Sequence, residues 1–206
     1  MKLILATRNK GKIQEMKSIL QDLHLDIHSC AHYPSLPKIV EDGKTFHENA
    51  IKKAEIVCKE VRFPVLADDS GLEIEALNGR PGVLSSRFAG PQCSDEDNIR
   101  KVLYLMQEVP NSRRQARFRC VIALAQPGAT TRTVEGTCEG IISCEPRGTA
   151  GFGYDPLFIV PEYNRTFAEL GEAVKNRISH RARALALAKK LLTETFENRS
   201  KKHHNR

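Results

Sequence analysis

The sequence predicts a mixed α/β fold, a sheet with flanking helices, from three observations. Residues 2–6, KLILA, read as a short buried strand, and the polar turn TRNKGK leads from it into Ile13, Met16, Ile19, Leu20 and Leu23 at helical spacing. Thr45, Ser94 and Ser179 each stand where a helix N-cap belongs, ahead of apolar periodic runs. Strand-like segments near 115–126, 132–144 and 156–160, punctuated by glycines, crowd the second half, so strand–helix alternation is confined to the front.

Taken in order, the first helix fills about 11–22. His24, His28 and His32 follow at intervals of four, but Leu25-Asp26-Ile27 reads as strand and Pro34 is close, which argues against a helical metal pair. Thr45 with Glu48 is a capping-box signature before Phe46, Ala50, Ala54, Val57 and Val61. FPVLAD (63–68) is a strand ending in carboxylates, and GLEIEAL (71–77) alternates like another. Ser94 with Asp97 caps a helix to about Gln107, and the acids Asp95-Glu96-Asp97 suit its dipole. The glycine-dense reach 148–153 is a loop. On the last helix Leu185, Ala188, Leu192 and Thr195 share one face.

The 206 residues suit one domain, with or without two lobes. Residues 1–196 form that domain, and 197–206 is a basic, disordered tail. No apolar run approaches the ~20 residues that span a bilayer, which excludes a membrane protein. The apolar stretch before Arg8 is too short for a secretory signal, which points to the cytoplasm and to reduced, structural cysteines. The tail carries +3 of the net +7, leaving +4 on the domain. That balance fits a small anionic ligand better than nucleic acid.

Five patches could hold chemistry. The turn Thr7-Arg8-Asn9-Lys10-Gly11-Lys12 puts backbone N–H groups at a helix N-terminus, where phosphate is favoured, although it is no Walker loop. Lys53 sits at the edge of an apolar stripe beside Asn49, and either snorkels to water or enters a cleft; Glu41 before that helix is equally open. Asp68-Asp69-Ser70-Gly71 offers oxygen ligands for Mg²⁺ or a base for water, with a β-turn as the plainer alternative. In GFGYDP (151–156) glycines let backbone approach a flat ligand beside aromatics, although surface aromatics of a bulge would look the same. His180 and Arg181 open the last helix where positive charge opposes the dipole, a mismatch that favours function.

Together these patches resemble the inosine triphosphate pyrophosphatase family. The resemblance runs from Lys2 to about Phe196 through ATRNKGK (6–12), EDGKTFHENAIKKA (41–54), LADDSGLEIEALNGRPGV (66–83), RQARF (114–118), GFGYDP (151–156) and ISHRARAL (178–185). It implies an elongated mixed sheet with two lobes around a central nucleotide-binding cleft, a homodimer, and Mg²⁺-dependent cleavage of ITP, dITP and XTP to monophosphate and pyrophosphate. It also implies roles. The 7–12 turn and Lys53 bind phosphate, and Glu41 and Asp69 hold the metal, with Asp69 the base and Ser70 beside it. Phe152, Gly153, Tyr154 and Asp155 form the purine pocket, closed by Lys175, His180 and Arg181. Ala173 and Val174 depart from the acidic residues common before this lysine, in what reads as a 170–175 loop.

Overall fold

The computed structural model describes residues 2–204, with side chains described as far as Phe196. The elements are β1 (Lys2–Leu5), α1 (Lys10–Leu20), β2 (Asp26–Ser29), α2 (Phe46–Val61), β3 (Val65–Ile74), α3 (Asp95–Leu105), β4 (Gln115–Gln126), β5 (Ala129–Ile142), β6 (Phe158–Val160), β7 (Arg165–Thr166), α4 (Phe167–Ile178) and α5 (His180–His204). The seven strands form one mixed sheet in the order β2-β1-β3-β4-β5-β6-β7. β1 runs parallel to both β2 and β3, and every later pairing is antiparallel.

The sheet carries apolar cores at both ends, which makes two lobes. Around β1, alternate residues separate two clusters. Ile4, Ala6, Val65 and Ala67 pack under Phe46, Ala50, Ala54 and Val57 of α2. Leu3, Leu5, Leu66 and Ile122 pack against Met16 and Leu20 of α1 and Leu185, Ala188 and Leu192 of α5. The far lobe gathers Leu72, Ile74, Phe118, Phe158 and Phe167 with Ile99, Val102 and Met106 of α3. This division follows from strand geometry, since neighbouring side chains point to opposite faces.

Several local expectations are corrected. The two strands expected at 63–68 and 71–77 are one, β3, which runs through Asp68-Asp69-Ser70-Gly71 in unbroken antiparallel register with β4 from Val65↔Ala125 to Ile74↔Ala116. Gly71 is there for clearance rather than for a turn. A Cβ would stand 2.4 Å from both the Gly82 carbonyl oxygen and Ser85 Oγ. At α2, Thr45 Oγ1 accepts from Glu48 N as a cap should, but the Glu48 carboxylate reaches back to Lys44 N rather than to Thr45. Lys175 lies on a helix, α4, not a loop. Gly171 at φ 75° breaks its periodicity, while its Thr166–Glu169 capping box was readable. Of the segment 197–206, expected as a disordered tail, residues 197–204 fall on the end of α5; their side chains, and Asn205 and Arg206 altogether, lie outside the described residues. No described helix is long and apolar enough to cross a membrane.

Candidate active site

A cleft of about 410 Å³ opens between the lobes, lined by the β1–α1 turn, the loop before α2, β3, the 152–155 turn and the junction of α4 with α5. Its floor is β3. Because side chains alternate along a strand, Asp68 and Asp69 leave on opposite faces and serve two different networks.

Asp69 turns toward α2. Its Oδ1 lies 3.1 Å from Lys53 Nζ, and its Oδ2 accepts from Asn49 Nδ2 at 3.1 Å. Lys53 is buried, and the same ammonium meets Glu41 Oε2 at 3.2 Å, so it links the two carboxylates. Burial pushes Asp69 up and outweighs the lysines Lys53 and Lys12; with Glu41 adding its charge, the carboxyl rises to about 6. Burial would raise Glu41 too, but Lys53 and Lys12 hold it below its ordinary value.

Asp68 turns toward α1 and α5. Its Oδ2 is 3.0 Å from Lys12 Nζ and accepts from Arg181 Nε and Nη2 at 3.2 and 3.1 Å. Burial opposes its ionisation, yet Lys12, Arg181 and Lys53 overcome that and hold Asp68 far below the usual carboxylate range. Ser70 joins this network, donating to Asp68 Oδ2 and accepting from Arg181 Nη2 at 2.9 Å. Arg181 Nη1 also donates to Glu15, whose other oxygen is 2.7 Å from Lys175 Nζ. Lys175 in turn pairs with Asp155, whose carboxylate accepts from Phe152 N at 2.9 Å. Lys175 and Arg181 therefore each keep one N–H to spare, the others being bonded to these partners.

His180 is buried and stacks on Phe118 with centroids 4.6 Å apart and planes at 14°. Burial, with Arg181 and Lys175 beside it, holds its imidazole well below the ordinary value and keeps it neutral. Its Nδ1 has no partner among the described residues, and the residue lines the cleft. Phe152 lies under the Lys175 ammonium, 4.4 Å from its centroid, and against the first turn of α1. There a Cβ on Gly11 would stand 2.6 Å from the ring.

Of the residues singled out from sequence, Thr7, Arg8, Asn9, Lys12, Glu41, Lys53, Asp69, Ser70, Phe152, Gly153, Tyr154, Asp155, Lys175, His180 and Arg181 all line the cleft. Lys10 does not, and Gly11 acts through the room it leaves Phe152. Asn9 spends its Oδ1 capping α1, accepting from Lys12 N at 3.0 Å. Tyr154 is largely structural, its hydroxyl donating to the Ser85 carbonyl at 2.8 Å. Sequence reasoning missed Glu15, Asp95 and Arg87, placed Asn49 only beside Lys53, and offered Asp68 with Asp69 as an oxygen ligand or base rather than as the partner of Lys12 and Arg181. Glu15 and Asn49 had a signal, each a polar residue on the apolar stripe of its helix. Asp95, which accepts from Gly153 N at 2.7 Å, was explained away by its helix dipole.

The Glu41–Asp69 pair has the hard-oxygen chemistry a divalent cation needs. Two carboxylates set against one ammonium, one of them pushed up by the other's charge, gain from a second positive charge. Among the described residues no cluster of three or more His, Cys, Asp or Glu side chains forms a complete cage. That suits Mg²⁺, which takes one or two carboxylates and completes its shell with water and substrate phosphate.

A sequence model of the Ham1 family matches residues 3–191. The chain is 52% identical over 182 residues to the dITP/XTP pyrophosphatase of Halalkalibacterium halodurans, covering 88% of this chain and 94% of that protein. It is 52% identical over 189 residues to the dITP/XTP pyrophosphatase of Bacillus subtilis, covering 92% and 96%. Among solved structures, the Ham1 protein of Staphylococcus aureus superposes with a TM-score of 0.84 at 39% identity, covering 95% of this chain and all of that one. The HAM1 protein of Coxiella burnetii gives 0.85 at 46%, covering 94% and 99%.

Proposed function

This chain belongs to the Ham1 family, and from that premise we propose that it hydrolyses dITP, ITP and XTP to the monophosphate and pyrophosphate with Mg²⁺. The observation that carries the reading is Asp69, a cleft-floor carboxylate raised to about 6 and held between Lys53 and Asn49. A base whose pKa lies near the working pH is ionised yet still accepts a proton from water as it attacks the α-phosphorus. Lys12 and Lys53 face the charge that builds on the phosphate oxygens, and the free N–H groups at the start of α1 add to them. Mg²⁺ bound by Glu41 and Asp69 would offset triphosphate charge and help pyrophosphate to leave.

Base selection falls to the other end of the cleft. The spare N–H on Lys175 and on Arg181 await a base that offers acceptors. A 6-oxo purine supplies one. The amino group of adenine does not, and a buried donor left unmet costs ~1–3 kcal/mol. The role is removal of deaminated purines from the nucleotide pool, by a homodimer in the cytoplasm with no nucleic-acid or membrane partner. The test is pyrophosphate release from dITP, ITP, XTP, dATP and dGTP with Mg²⁺, beside Asp69→Asn. Release from dITP, ITP and XTP but not from dATP, lost in the variant, supports the reading, and dGTP, itself a 6-oxo purine, reads whether the 2-amino group is accepted. Equal turnover of dATP sinks base selection, and silence from all five sinks the activity.

A further inference from the structure

We propose that Asn49 and Arg87 are positioning residues that hold the Glu41 loop against Asp69, so that the two carboxylates for the divalent cation are assembled before it arrives. This rests on the metal reading above.

Glu41 sits in residues 37–43, which form no regular structure, while Asp69 sits in a central strand. Something must set the distance between a loop and a strand. Lys53 touches both carboxylates, but an ammonium is a point charge on a flexible stem and gives little direction. Asn49 gives direction. It is fully buried on α2, where an unbonded amide would be costly, and both of its ends are used. Gly43 N donates to Asn49 Oδ1 at 2.8 Å, and Asn49 Nδ2 donates to Asp69 Oδ2 at 3.1 Å. The orientation of the amide has only one solution. Gly43 N–H is a donor and must face oxygen, so the NH₂ must face the carboxylate. One side chain thus ties the loop, two residues after Glu41, to Asp69. The loop lies close enough that a Cβ on Gly43 would stand 2.6 Å from Asn49 Oδ1.

Arg87 makes the second tie, from a different element. It lies in the 3₁₀ turn Gly82–Arg87, and its Nη2 donates to the Glu41 main-chain carbonyl at 2.8 Å. The loop is therefore pinned at residue 41 by one element and at residue 43 by another. The two pins, on the Glu41 carbonyl and on Gly43 N, fix the main chain immediately after the Glu41 side chain and so narrow where its carboxylate can go.

The experiment compares the wild type with Asn49→Ala, Arg87→Ala and Arg87→Lys in two measurements. Binding of Mn²⁺ is followed by electron paramagnetic resonance of the free ion, with the α,β-methylene analogue of dITP present so that nothing is hydrolysed. Steady-state kinetics then separates the half-saturating Mg²⁺ from the KM for dITP at saturating metal. Loss of either pin is expected to weaken Mn²⁺ binding and raise half-saturating Mg²⁺ about tenfold, while KM for dITP moves less than about threefold. Arg87→Lys recovers part of the loss. If Asn49→Ala does not fold, Arg87→Ala decides alone, because its site is a half-buried turn. Folded variants that bind Mn²⁺ as tightly as the wild type overturn the proposal, as does a loss of melting temperature and kcat with metal affinity unmoved. A wild type that neither binds Mn²⁺ nor cleaves dITP overturns the underlying reading and this one together.

Discussion

Glu15→Gln removes one charge, and almost no volume, from a buried cluster in which Glu15, Asp68 and Asp155 face Lys12, Lys175 and Arg181. The wild-type cluster balances. The variant leaves Lys175 with only Asp155 and Arg181 with only Asp68 as charged partners, both side chains being buried at the wall of the cleft. Breaking a buried pair on one side costs ~3–5 kcal/mol, and the lower figure applies because glutamine keeps some hydrogen bonding. At ~2.1 cal/mol/K per residue, 206 residues unfold with ~0.43 kcal/mol/K, so ~3 kcal/mol lowers the melting temperature by ~7 °C. Scanning calorimetry at pH 7.5 reads this directly, and added salt should change it little because the pairs are shielded from counterions. Pairing Glu15→Gln with Lys175→Met should cost less than the sum of the two, since charge balance returns. A fall of under ~2 °C, or simple additivity, would refute the reasoning and mean that these cations are hydrated in solution.

Other outcomes follow from the same contacts. Asp69→Asn should cut kcat by ~10²–10⁴ while leaving the fold intact, since it removes a carboxylate whose ionisation burial opposes; circular dichroism and pyrophosphate release check both halves. Activity should climb as pH rises through about 6, where Asp69 ionises, and more Mg²⁺ should move that limb to lower pH because the cation favours the ionised form. Stability also falls toward acid, through Glu15 and Asp68. Both are lowered in the fold, so what they contribute is fully present above their unfolded values of 4.5 and 3.8 and is lost as pH falls further, as melting between pH 6 and 3 will show. Gly136→Ala places a Cβ 2.4 Å from the His180 carbonyl oxygen and from Ala184 N. It should lift the start of α5 from β5, cost ~1–3 kcal/mol and raise KM for dITP in steady-state assays. Asp95→Ala frees Gly153 N and should raise KM for dITP several-fold with kcat little changed.

The helices were legible wherever caps and apolar spacing agreed, as at Thr45, Ser94 and Ser179. α4 was missed because Gly171, at positive φ, interrupts the repeat, and its capping box lay among strand-like residues. Asp68-Asp69-Ser70-Gly71 read as a turn because those residue types favour turns. Pairing with β4 outweighed that local preference, and Gly71 had been chosen by what packs beside it.

The sequence by itself determined the family, the order of its motifs and most of the charged residues that line the cleft, because motif chemistry is carried by residue type and spacing along the chain. Only the tertiary structure decided partnership. Lys12 meets Asp68, Lys53 joins Glu41 to Asp69, and Glu15 bridges Lys175 and Arg181 across more than a hundred and fifty residues. Which carboxylate is held ionised and which is raised to about 6 depends on those partners and on burial. Adjacent aspartates look alike in a sequence; a strand sends them to opposite faces, and each face supplies its own charges.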